Sequence, residues 1–73
     1  MNPYQELANA IVVRAAEDYR DALKKLKFNP NNRIALDTAK ECERFFRSQW
    51  YQALTTVDGE MLMRKLRQEV QNS

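Results

Sequence analysis

An all-helical fold is what this sequence predicts: an antiparallel hairpin of two long helices plus a short third helix, completed by homo-oligomerisation. Three observations predict it. One glycine and two prolines in 73 residues leave few places where a helix must stop. Apolar residues recur at spacings of three and four along most of the chain, the period of one helix face. The chain is also short. A domain of this size buries only about 60% of the surface its unfolded form exposes, so it depends on a well-made helical core, a metal, disulfides or a partner subunit. With no histidine and Cys42 as the only cysteine, an internal disulfide and a Cys/His metal site are both excluded. The expectation is therefore one helical domain over residues 1–73, with helices at about 3–27, 32–54 and 59–70.

The first helix opens at Asn2-Pro3, where Asn can cap and Pro is preset for the first helical position. Tyr4, Ala8, Ile11, Ala15, Tyr19, Ala22 and Leu26 then form its stripe, widened by Leu7, Val12, Ala16 and Leu23. Phe28-Asn29-Pro30-Asn31-Asn32 ends it, because a proline disfavours helical backbone in the residue before it. Asn31 or Asn32 can cap the second helix, whose apolar positions include Ala35, Ala39, Cys42, Phe46, Trp50 and Ala53. The short connection makes the two helices antiparallel. The third starts at Asp58, a capping residue, with Glu60 in the first turn facing the positive end of the helix dipole. Leu62, Met63, Leu66 and Val70 supply its apolar face. Two long helices and one short one leave apolar surface uncovered, and a homodimer or higher oligomer is the expected completion.

Charge narrows the function classes. Twelve basic and ten acidic residues give a net charge of +2, spread evenly along the chain. A duplex-binding protein carries a clustered basic stripe, so duplex nucleic acid is not the expected partner. Met1 is followed by Asn2-Pro3-Tyr4-Gln5-Glu6 rather than a basic and then apolar leader. No run of about 18 apolar residues could span a membrane, and a lone thiol fits a reducing compartment. The expected location is the cytoplasm, that of the host cell if the chain is phage-encoded.

Catalysis has few candidates. Histidine, the usual general base near neutral pH, is absent. Cys42 lies on the apolar stripe with no histidine to activate it, which reads as a structural thiol. A phosphate-binding loop needs more than the single Gly59. No enzymatic activity, cofactor or metal is expected.

Binding has better ones. Arg44-Phe45-Phe46-Arg47-Ser48-Gln49-Trp50-Tyr51 holds four of the seven aromatic residues. On a continuous helix Arg44, Arg47, Ser48, Tyr51 and Thr55 share one face, while Phe46, Trp50 and Ala53 turn to the core. Arginine can fork onto a phosphate, and Tyr51 or Trp50 can stack a base. The candidate ligand site is Arg44, Arg47, Ser48, Trp50, Tyr51 and Thr55. The competing structural role is core or oligomer interface, with Arg44 or Arg47 paired to Glu41 or Glu43.

Several segments together carry a family resemblance: Ala10-Ile11-Val12, Asp18-Tyr19-Arg20, Ala22-Leu23, Asn29-Pro30-Asn31-Asn32, Glu43-Arg44-Phe45-Phe46-Arg47-Ser48, Trp50-Tyr51, and Leu54-Thr55 with Val57-Asp58-Gly59-Glu60. Over about residues 4–70, and most specifically from Phe45 to Tyr51, the chain resembles short helical proteins of Firmicutes prophages and mobile elements. That resemblance implies a phage setting and an anti-defence role, without implying a mechanism. The leading expectation is a non-enzymatic binding protein that sequesters a small anionic nucleotide signal in a helical cleft. The alternative is a protein–protein inhibitor or adaptor that blocks a host protein through its aromatic/Arg helix face.

Overall fold

Asn2 caps the first helix as its sequence suggests: its side chain accepts the Tyr4 amide at 2.9 Å. In the computed structural model, which describes residues 2–73, helix α1 runs from Pro3 to Phe28. Met1, the first residue of the expected domain, lies outside the described residues. Asn29 is extended at φ −141°, ψ 92°, as the proline after it demands. Its side chain accepts the Asn31 amide, closing a tight turn. Asn32 then caps α2 (Arg33–Phe46) by accepting the Ala35 amide at 3.0 Å.

The expected second helix is not continuous to residue 54. It stops at Phe46, and a separate helix α3 (Gln49–Leu54) follows. The break is at Ser48, whose backbone is extended at φ −82°, ψ 160°. The Ser48 hydroxyl donates to the Phe45 carbonyl at 2.6 Å and accepts the Tyr51 amide at 3.1 Å. One residue thereby closes α2 and opens α3, satisfying backbone groups that a helix break would otherwise orphan. The fourth element, α4 (Gly59–Gln71), begins where expected, with Asp58 accepting the Glu60 amide at 3.0 Å.

The chain is all-helical among the described residues, with four helices in place of the expected three. Helix α2 returns antiparallel to α1, so Tyr19 and Phe46 meet edge to face at 5.7 Å. The Tyr19 hydroxyl donates to Glu43 at 2.7 Å. Helix α4 lies along the C-terminal half of α1, tied by Arg20–Glu69 at 3.2 Å and by Lys27 Nζ donating to the Val70 and Ser73 carbonyls. Lys27 thereby meets the exposed carbonyl end of α4, where a cation is favoured. The core is Tyr19 and Ala22 from α1, Ala35, Ala39, Cys42 and Phe46 from α2, Tyr51 from α3, and Met63 and Leu66 from α4. Three alanines among these let α1 and α2 approach closely around the larger Tyr19, Phe46, Tyr51 and Met63.

This core gathers around only part of α1. At about 1.5 Å per residue the 26 residues of α1 span roughly 39 Å, close to the 41 Å long axis of the molecule. The first turns of α1 stand beyond the bundle, with Tyr4 83% and Leu7 61% exposed. No helix among the described residues is long and apolar enough to cross a membrane.

Candidate functional site

The break at Ser48 reorganises the expected site. The six candidate residues do not share a helix face, because they sit on two helices and the turn between them. The orientations of the two central aromatics are the reverse of those expected. Tyr51 is 1% exposed and in the core, whereas Trp50 is 59% exposed. Phe46 enters the core as anticipated, and Ala53 stays outside.

Phe45 organises the aromatic group. Its ring lies 5.6 Å from Phe46, 5.3 Å from Trp50 and 5.6 Å from Tyr51. The Trp50 and Tyr51 contacts are edge-on, the arrangement the ring quadrupoles favour. Phe45 thus links the buried rings to the one presented to solvent.

Four of the six residues are committed within the chain, three of them by side-chain hydrogen bonds and Tyr51 by packing. Arg47 donates through Nε to Glu60 at 2.6 Å and approaches Glu43 at 3.9 Å. The hydrogen bond and charge of Arg47 hold the Glu60 carboxyl below its ordinary pKa, and the Glu60 bond raises that of the guanidinium. Ser48 makes the two capping bonds. Thr55 ends α3 and its Oγ1 accepts the Val57 amide at 3.2 Å. Tyr51 packs against Phe45 and Phe46, and burial, followed by the charge of Asp58, raises its pKa. That leaves Arg44, which is exposed and makes no ion pair among the described residues, and Trp50.

Two concavities flank this segment. A cleft of about 520 Å³ between the end of α2, α3 and the start of α4 is lined by Arg47, Tyr51, Thr55, Asp58 and Glu60, among others. Its volume falls within the usual range for ligand sites. Its two carboxylates outnumber its one cation, however, which disfavours a polyanion. Tyr51 contributes a buried hydroxyl with no hydrogen-bond partner. A shallower groove is lined by Lys40, Glu43, Arg44, Arg47 and Ser48, and there the cations outnumber the acid.

Gly59, Glu43, Asp58 and Glu60 were not among the sequence-derived site residues. Gly59 is needed where α4 meets α2: a Cβ there would collide with the Phe46 carbonyl oxygen and touch the Tyr51 ring. A lone glycine directly after a capping aspartate was the available signal for that close approach. The Arg47–Glu60 pair spans 13 residues and a helix break, so no helical spacing could announce it. Cys42 is buried, and burial raises its pKa, the opposite of an activated thiol. The chain matches no protein-family model, no curated protein and no solved structure.

Proposed function

We propose that this chain is a non-enzymatic binding protein that engages another protein through the Arg44–Trp50 surface, acting as an inhibitor or adaptor. The observation that carries this is the 59% exposed Trp50 standing edge-on against Phe45. Trp and Arg dominate interface energetics because each combines large contact area with directional polar groups. Arg44 is free to meet a carboxylate, and Lys40 lines the same groove. The partner is accordingly an apolar pocket with an acidic rim. The resemblance to prophage proteins supplies the setting, in which the partner is a host protein of the immune machinery.

The experiment is capture of the tagged chain's partner from a bacterial lysate, followed by titration of the purified pair. Near-equal stoichiometry is expected, with Trp50→Ala weakening binding by about 2 kcal/mol or more and leaving the circular dichroism unchanged. Wild-type affinity in Trp50→Ala would sink this reading.

A second reading, sequestration of a small anionic nucleotide signal, has one specific observation behind it. The cleft beside Arg47 has ligand-like volume, and Tyr51 beneath it has an unpartnered hydroxyl. Native mass spectrometry distinguishes the two. Extra mass of a few hundred daltons, lost in Arg47→Ala and kept in Trp50→Ala, selects the cleft. Clean protein mass from cells making such signals removes it.

A further inference from the structure

We infer that the hairpin end of the molecule, where α1 gives way to α2, docks reversibly on an anionic lipid surface. The even charge balance of the chain does not hold there. Residues 22–36 carry Lys24, Lys25, Lys27 and Arg33 and no acid. The Asn29 carbonyl accepts the Asn32 amide at 3.0 Å, which turns the chain and sets the end of α1 beside the start of α2. Because α1 spans nearly the full long axis, this turn is one extremity of the molecule.

Two large apolar side chains stand bare at that extremity. Phe28 is 89% exposed and Ile34 80%, and neither belongs to the core. Lys24 and Lys25 precede Phe28 by one helical turn, which puts all three on the same side of α1. Lys25 also lines a concavity with Ile34, and Arg33 is the neighbour of Ile34 in the chain. A single exposed apolar residue needs no explanation. Two of them at one extremity, each beside cations, form an amphipathic surface of the kind that lies in a membrane interface.

Three of the four cations are available to meet an anion. Lys24, Lys25 and Arg33 are exposed and enter no ion pair among the described residues. Lys27 is the exception, since its Nζ donates to the carbonyls of Val70, Gln71 and Ser73. The nearest acids in the chain, Asp21 and Asp37, lie further into the bundle. Asp21 stands about 10 Å along the axis from Phe28, comparable to the Debye length of about 8–10 Å near physiological salt.

Charge complementarity selects an anionic occupant, and the apolar pair selects among anions. A nucleic acid would engage the cations through its phosphates, but an aliphatic Ile34 offers its bases no ring to stack on. An acidic protein would have to supply two matching pockets at an exposed end. A bilayer satisfies both features without shape complementarity. Anionic headgroups attract the basic residues, and the apolar side chains sink to the acyl boundary. Two apolar residues and three cations make a weak anchor. It is a contact with the surface and not a crossing, in keeping with the absence among the described residues of any helix able to span a membrane. Trp50 lies beyond the opposite end of α2, so the inference does not rest on the proposed function.

Co-sedimentation of the whole chain with vesicles tests it. Phosphatidylcholine vesicles containing about one-third phosphatidylglycerol should retain the protein, and pure phosphatidylcholine should not. Lys24→Gln and Arg33→Gln should each weaken partitioning about fivefold, the effect of one cation near an anionic surface. The Phe28→Ser, Ile34→Ser double variant should be released from the anionic vesicles with unchanged circular dichroism, since both side chains are exposed. In a Trp50→Phe background, Phe28→Trp should shift its emission to the blue on those vesicles as the ring leaves water. No retention by the anionic vesicles overturns the inference, as does full retention of the double variant or an unshifted Phe28→Trp emission. Tighter binding to a DNA oligonucleotide than to the vesicles, with Phe28 and Ile34 dispensable, would assign the cations to phosphodiesters and overturn it too.

Discussion

Gly59 shows how two opposing effects at one residue are decided. Its backbone is ordinary, since no residue with positive φ occurs among those described. Helix propensity alone would make Gly59→Ala stabilising by up to about 1 kcal/mol. The new Cβ would meet the carbonyl oxygen and carbon of Phe46, backbone atoms at the end of a packed helix that cannot yield as a side-chain tip can. Overpacking of this kind costs about 1–3 kcal/mol, so the clash wins. Gly59→Ala should lower the urea midpoint, and an unchanged or raised midpoint would show that α4 can move away freely. Tyr19 makes a second prediction at this scale. Burial, reinforced by its hydrogen bond to Glu43, pushes its pKa up to about 12 from 10.0. A group whose pKa is raised on folding favours the fold fully below its unfolded value, and that contribution disappears as pH rises through the folded one. Stability should therefore fall between about pH 10 and 12, with Tyr51 shifted in the same direction. Tyr19→Phe should flatten this alkaline loss while costing about 1 kcal/mol at neutral pH for the missing hydrogen bond. Urea titrations at neutral and alkaline pH check both statements.

Among the elements, α3 depends most on a single side chain. Helices of six residues do not hold themselves together in water, so α3 persists through its cap at Ser48 and the burial of Tyr51. Removing an N-cap costs about 1 kcal/mol. Ser48→Ala should lose that much in urea denaturation, and Ser48→Thr should retain most of it. If Ser48→Ala were neutral, packing of Tyr51 alone would account for the break. The boundaries of α1 and α4 were legible to within a residue, because Asn2-Pro3, Asn29-Pro30 and Asp58 announce themselves through local chemistry. The break within residues 33–54 was not. Arg47, Ser48 and Gln49 are all tolerated inside helices, no proline or glycine intervenes, and Phe46, Trp50 and Ala53 imitate an uninterrupted stripe. The same break explains why the candidate site was only partly legible. Residue types are readable position by position, whereas a shared face presupposes a continuous helix, and none runs through Ser48.

Over the whole molecule, stability is distributed unevenly along α1. Its C-terminal half contributes Tyr19 and Ala22 to the core and is tied to α4 through Arg20 and Lys27. Its first turns are held only by their own hydrogen bonds and the Asn2 cap. In dilute solution, amide hydrogen exchange should thus be fast over residues 5–10 and approach the global unfolding limit over residues 19–26. Uniform protection along α1 in dilute solution would show that the arm is covered within one chain. The sequence by itself determined that the chain is helical, where three of its four helix starts lie, and which residues could fill a core, because capping and apolar periodicity act between residues a few positions apart. Tertiary structure decided that Tyr51 turns inward and Trp50 outward, that Arg47 is occupied by Glu60, and that the arm of α1 is left bare. Those outcomes depend on contacts between residues far apart in the chain, whose geometry exists only after the helices have packed.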